Sequence, residues 1–153
     1  MRGHRSIWCV RVAVASLLVL MLMAGSAFAQ KVPSPTLQEI LIKVSLLSFN
    51  DANVTGIYTV FHAKLSKPFR DQFPPDKLAE AFKPFRDKHI DFDLIAAWPP
   101  VPVEEAKIDD RGVLTLRGYF DTKPSRVNYD LAFIMSDGEW KLVRINVDVK
   151  KPD

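Results

Sequence analysis

The sequence predicts an α+β domain in which three N-terminal helices pack on a curved antiparallel sheet of four to five strands. Two observations carry that prediction. From Leu37 to Phe85 the apolar residues recur at the three- and four-residue spacing of a helix face, and from Asp91 onward they alternate with polar ones as along a half-buried strand. A third is composition: 153 residues, 48% hydrophobic and 25% charged, match one globular domain rather than a disordered tail, a fibre or a polytopic membrane protein.

Residues 1 to 29 stand apart. Arg2, Arg5 and Arg11 precede or open an uncharged run, and Ala27-Phe28-Ala29 offers small residues at the positions a signal peptidase reads. The expectation is a secretory signal peptide cleaved between Ala29 and Gln30, with 30 to 153 as the exported domain, periplasmic or secreted. An uncleaved anchor is the alternative, because the 18 uncharged residues from Val12 to Ala29 just reach a bilayer's thickness. The net charge of +3 comes entirely from this leader, and from Gln30 on there are 18 basic and 18 acidic residues. A neutral body lacks the basic stripe that phosphate contacts need, so no nucleic-acid partner is expected. Cys9 also falls in the leader, so the body has neither a disulfide nor a thiolate for catalysis or metal.

Ser34-Pro35 reads as an N-cap followed by proline in the first helical turn. Leu37, Ile40, Leu41, Val44 and Leu47 keep the helical spacing, and Ile42, Leu46 and Phe49 widen the stripe, which predicts a helix covered on most sides. Asn50 to Asn53 should break it and cap a second helix carrying Val54, Ile57, Tyr58, Phe61 and Leu65. Pro74-Pro75-Asp76 should start a third through Leu78, Ala81, Phe82 and Phe85, stopped or kinked near Lys83 by Pro84. The pentapeptide Lys-Pro-Phe-Arg-Asp occurs at residues 67 to 71 and again at 83 to 87, and is expected to form two similar helix-edge turns.

Strands are expected at Phe92 to Trp98, more weakly at Val103 to Ile108, then at Val113 to Phe120, Val127 to Met135 and Trp140 to Val149. Pro99, Pro100 and Pro102 keep their stretch off the centre of any sheet. Asp137-Gly138 is a two-residue hairpin turn. Register follows from keeping apolar opposite apolar: Phe120 with Val127, Leu116 with Leu131, Leu114 with Phe133, and Arg117 opposite Asp130 on the other face. Across the Asp-Gly turn, Met135 faces Trp140 and Phe133 faces Leu142, yet Ile145, Val147 and Val149 are out of phase. One extra residue at Val143 or Arg144, a β-bulge, restores the phase.

Three helices followed by a curved sheet that ends in Gly138-Glu139-Trp140-Lys141-Leu142 resemble the nuclear-transport-factor-2-like superfamily over Pro35 to Val149. The resemblance implies a cone, with helices closing a bent sheet around a cavity. Similar chains include ketosteroid isomerases, polyketide cyclases, dehydratases, small-ligand binders and dimeric adaptors, so fold alone does not select a function.

Four scattered glycines after the leader form no phosphate-binding loop or dinucleotide fingerprint, and neither G-x-S-x-G nor H-E-x-x-H occurs, which argues against nucleotide hydrolysis and hydride transfer on a Rossmann fold; no cofactor is expected. His62 falls one helical turn after Tyr58, so the two are the candidate acid-base pair; the plainer reading is a partly buried pair whose polar tips reach water or backbone. His89, Asp91 and Asp93 alternate and would point one way in an extended segment, but lack a further ligand, so no metal site is assigned. Ketosteroid isomerases keep a protonated aspartic acid in their oxyanion hole. Here Asp130 is expected on the face away from the apolar set, between Arg117 and Arg144, and residues 34 to 50 hold no tyrosine to join it; the trio reads as a structural or interface ion pair. Tyr58, His62, Trp98, Tyr129 and Phe133, with Trp140, are the candidates for an apolar ligand pocket, or plain core. The reading that results is an exported, non-enzymatic small-ligand-binding or accessory domain. Its alternatives are a cofactor-free lyase, isomerase or hydrolase on a small apolar substrate, and a homodimeric module using the outer sheet face.

Overall fold

Ser34 opens the first helix as expected, its Oγ accepting the Leu37 N–H at 3.3 Å. The computed structural model describes residues 30–150, so the predicted leader and its cleavage point lie outside the described residues. Helix α1 runs from Pro35 to Thr55 without the break expected at Asn50 to Asn53. Asparagine ends helices by competing for nearby backbone groups, and here both amides are otherwise engaged. Asn50 Nδ2 donates to Asp91 Oδ1 at 2.8 Å and its Oδ1 accepts the Phe92 N–H at 3.1 Å, while Asn53 Nδ2 donates to the Phe49 carbonyl at 2.9 Å. The helix stops instead at Gly56, whose φ of +75° suits a left-handed cap and whose N–H donates to the Ala52 carbonyl.

The rest of the helical half is more finely divided than the sequence suggests. The second helix is only α2, Thr59–Lys64, and the third splits at Phe82 into α4, Pro75–Ala81, and α5, Lys83–Asp87. The repeated pentapeptide forms real helices rather than turns: α3, Lys67–Gln72, and α5. Each copy has proline in its first turn, a lysine-aspartate pair four residues apart (2.7 Å in α3, 2.6 Å in α5), and an arginine reaching back to an upstream carbonyl. Arg70 takes that of Leu65 and Arg86 that of Ala79. Helices this short are unstable alone, so Phe69 and Phe85 anchor them by packing against the core.

Residues 93 to 97 correct a second expectation, forming a 3-10 helix, Asp93–Ala97, in place of a strand. Asp91 Oδ1 accepts the Asp93 N–H at 3.2 Å, a side-chain turn that starts the coil. Phe92 and Ile95, three residues apart, are buried, whereas Leu94 is 58% exposed, so the apparent two-residue alternation was misleading.

One antiparallel sheet follows. Its strands are β1, Val101–Pro102; β2, Lys107–Ile108; β3, Leu114–Phe120; β4, Arg126–Ser136; and β5, Glu139–Lys150. Of the weaker strand expected at Val103 to Ile108 only Lys107–Ile108 forms, and Val101–Pro102, in the proline-rich stretch just before it, is a further short piece; both pair with β3, so the prolines stay at the sheet's edge. The order is β1-β3-β4-β5. The longer strands pair as the apolar phase requires: Phe120 with Val127, Leu116 with Leu131, Leu114 with Phe133, Arg117 with Asp130, Met135 with Trp140 and Phe133 with Leu142. Ala132 then pairs with Arg144, which leaves Val143 as the extra residue of a bulge and returns Ile145, Val147 and Val149 to the face of Leu131, Tyr129 and Val127.

Asp137 and Gly138 both have positive φ, +57° and +78°, as a type I′ hairpin turn requires. Next to the bulge, the Ser66 N–H donates to the Leu142 carbonyl at 2.8 Å, and Arg70 pairs with Asp137 at 3.0 Å. The segment linking α2 to α3 therefore covers part of the exposed edge of β5.

Candidate functional site

The helix α1 is too apolar for the surface that covers it. Ile42, Leu46, Phe49 and Ala52 are buried in the core, but Leu37, Ile40 and Val44 remain 39%, 50% and 43% exposed, so the helix is not covered on most sides as its composition suggests. These residues, with Leu41, form one wall of an open groove of about 480 Å³. The facing wall is the β4–β5 hairpin, through Phe133, Met135, Trp140 and Leu142. Half-exposed apolar side chains gathered on both sides of a depression differ from the scattered ones any protein surface carries.

Three charged residues and one hydroxyl edge this groove: Lys64, Glu139, Lys141 and Ser45. The Lys141 side chain is 19% exposed, its stem lying along apolar surface while Nζ meets Glu139 Oε2 at 2.7 Å. That hydrogen bond holds the Glu139 carboxyl below its usual range, with the charges of Lys141 and Lys64 adding to the effect.

Of the residues expected around an apolar ligand, Phe133 and Trp140 line the groove, and Tyr58, His62, Trp98 and Tyr129 do not. Tyr58 and His62 do not converge on it as an acid-base pair. The buried Tyr58 hydroxyl donates to Asn53 Oδ1 and lies 3.5 Å from Arg86 Nη1, while His62 Nε2 lies 3.3 Å from the Arg70 carbonyl oxygen. Burial pushes the Tyr58 hydroxyl above its ordinary range, and the Arg86 hydrogen bond draws it partly back. Trp98 follows the 3-10 helix and is 40% exposed.

Tyr129 is buried under the sheet's inner face, and burial pushes its hydroxyl up to about 12. A folded-state value above the unfolded one means that stability is intact below about pH 10 and is lost as the pH rises toward the folded value, by at most about 2–3 kcal/mol. Tyr129→Phe is expected to remove that part of the alkaline loss while leaving stability near neutrality little changed. Urea unfolding of both proteins over a rising pH series checks it: alkaline limbs of equal steepness would mean that Tyr129 ionises as easily folded as unfolded.

Asp130 accepts from Arg117 at 3.0 Å and from Arg144 at 2.7 Å, and Arg117 also reaches Glu104 at 3.2 Å. The arginine side chains are 44% and 47% exposed, so this network faces outward, where such pairs contribute roughly 0–1 kcal/mol each. It lies on the face opposite the groove side chains.

His89, Asp91 and Asp93 are not aligned, because the segment coils rather than extends. Among the described residues no three histidine, cysteine or carboxylate side chains come together as metal ligands. Asp91 and Asp93 share the Asn50 amide, at 2.8 and 3.4 Å. The Asn50 hydrogen bond lowers the Asp91 value, and hydrogen bonding to Asp91 raises that of Asp93. A second depression of about 480 Å³, more polar, lies beside it with Asn53, Thr55, Arg86, His89 and Asp91 on its walls.

Among the groove residues that sequence reasoning missed, those on α1, such as Ile40 and Val44, carry one readable signal, whereas Lys64 and Met135 carry none. The apolar stripe of residues 37 to 49 is wider than one buried face requires. No helix among the described residues is long and apolar enough to cross a membrane. No family model, curated protein or solved structure matches the chain.

Proposed function

We propose that the protein is an exported binding domain of the nuclear-transport-factor-2-like type, which holds a small apolar molecule in the groove between α1 and the β4–β5 hairpin without transforming it. The observation that carries this reading is the row of half-exposed apolar residues on α1, facing Met135 and Trp140 across about 480 Å³. The order of helices and sheet supports the superfamily assignment, and the Ala27-Phe28-Ala29 motif after an uncharged run supports export. A binding role without turnover suits the groove's charged edge, where Lys141 and Glu139 are committed to each other at 2.7 Å.

An environment-sensitive apolar dye is expected to bind the protein and to lose about tenfold in affinity in Ile40→Asp, because burying an isoleucine side chain is worth roughly 1.5–3 kcal/mol. His62→Gln and Tyr58→Phe should bind the dye as the parent does. Dye binding untouched by Ile40→Asp would sink the reading, as would turnover of a small carbonyl or ester substrate that disappears in His62→Ala. Sedimentation of the same variants separates a further case: a dimer that Ile40→Asp dissociates would put a second copy of the chain on this face. Intact mass of the exported protein, expected to begin at Gln30, tests the leader.

A further inference from the structure

The groove edge carries more positive than negative charge, and this bears on what it binds. Lys64 ends α2, and the next residue, Leu65, bridges to Leu142 of β5, so the lysine sits against the hairpin wall. Glu139 is the groove's one acidic lining residue and is already matched by Lys141 at 2.7 Å. The Lys64 ammonium is thus left over beside an apolar trough.

We infer that the groove takes an anionic amphiphile, a free medium-chain fatty carboxylate or a molecule of like build, with its tail between α1 and the hairpin and its acidic head on Lys64. This rests on the groove being a ligand site, as proposed above. The trough matches such a tail in length, since the seven-residue step from Leu37 to Val44 advances roughly 10 Å along the helix. It suits a peptide poorly, because every residue of an extended chain brings a donor and an acceptor. Walls made of Leu37, Ile40, Val44, Phe133 and Met135 can satisfy neither. A hydrocarbon tail asks nothing of those walls beyond contact, and its single polar end needs a cation only at the edge. An exposed ammonium suits that end, because a head group that stays half in water is spared most of the desolvation cost that a buried ion pair carries.

The test compares decanoate, decan-1-ol and decyltrimethylammonium, each below its micelle-forming concentration at neutral pH, as competitors of the apolar dye. Decanoate is expected to bind about two- to fivefold more tightly than decan-1-ol, the range of a partly exposed charge pair. The ammonium compound should be the weakest. Lys64→Gln should abolish the advantage of decanoate, Lys64→Glu should reverse it, and neither should change decan-1-ol binding; Lys64 is exposed, so both variants should fold. Added salt should weaken decanoate alone. Equal affinities for decanoate and decan-1-ol, or a Lys64→Glu effect common to both, would overturn the head-group assignment and leave the apolar site standing. If neither compound displaces the dye, the ligand reading of the groove falls, and this inference with it.

Discussion

Phe49→Ala is expected to lower the free energy of unfolding by about 3–5 kcal/mol, the cost of emptying a buried aromatic site that cannot collapse. Phe49 is 1% exposed and stands at the centre of an aromatic cluster. Its ring centroid lies 4.7 Å from that of Phe82, 5.3 Å from Phe61, 5.4 Å from Phe85 and 6.4 Å from Phe92. These partners belong to α2, the joint between α4 and α5, α5 itself and the start of the 3-10 helix, so one side chain ties α1 to all the short helical elements but α3, none of which could persist alone. The edge-to-face geometry with Phe82, at 76°, adds roughly 0.5–1.5 kcal/mol beyond area burial. Urea unfolding gives the measurement, with Phe49→Leu as the control that keeps most of the volume. A double-mutant cycle with Phe82→Ala should show coupling of about 1 kcal/mol. A loss below about 1.5 kcal/mol for Phe49→Ala would mean that the helical half is held by something other than this cluster. Because the opposite side of α1 walls the groove, a helix loosened at Phe49 should also bind the apolar dye less tightly.

The sheet was legible in the sequence because its constraint is binary. A slip of one residue turns every apolar side chain of a strand to the wrong face, so the alternation of Leu114, Leu116 and Phe120 against Val127, Leu131 and Phe133 admits few pairings. The same phase argument confined the bulge to Val143 or Arg144, either of which returns Ile145 and Val147 to the inner face, and the pairing of Ala132 with Arg144 fixes Val143 as the extra residue. The helical half resisted for the opposite reason. Asn50 and Asn53 are helix breakers by local preference, and what keeps them inside α1 is a set of partners from residues 91 to 93 and from Tyr58, which no local pattern reveals. The Phe92 to Trp98 segment alternates as a strand would, yet the same Asn50 and the Asp91 side chain turn it into a coil.

The candidate site was legible only in part, for a related reason. Phe133 and Trp140 could be placed on the groove side because strand phase fixes which face a residue takes. Which apolar residues of α1 would be left half exposed depends on how far the hairpin stands from the helix, and periodicity does not encode that distance. Tyr58 and His62 fall one turn apart in sequence, but the chain enters α2 at Tyr58, and the two polar tips are claimed by different partners, Asn53 with Arg86 and the Arg70 carbonyl.

Gly118 is the position where a single added carbon should do most harm to the sheet. It occupies the inner face of β3 between Leu116 and Phe120, where alternation calls for a large apolar residue. Its cross-strand partner is Tyr129, and on the other side it pairs with Pro102 of β1. A Cβ built there would run into the Val101 carbonyl oxygen and into the hydroxyl and ring of Tyr129. Neither obstacle is free to move. The carbonyl belongs to the backbone of a paired strand, and the ring is 4% exposed and packs on Phe120 at 5.7 Å. Glycine inside a strand marks such a close approach, and overpacking of this kind costs about 1–3 kcal/mol. Gly118→Ala should therefore fall in that range, and Gly118→Val at or above its top, with β1 detached from β3. If the valine variant does not accumulate, the alanine variant still supplies the measurement by urea unfolding. Combining Gly118→Ala with Tyr129→Phe removes the hydroxyl contact but leaves the ring carbon 2.8 Å from the added Cβ, and should recover only a part of the loss, about 0.5 kcal/mol, whereas Tyr129→Phe alone should recover nothing. A Gly118→Ala protein within about 0.5 kcal/mol of the parent would show that β1 and the Tyr129 ring can yield, and that this edge of the sheet is looser than its packing indicates.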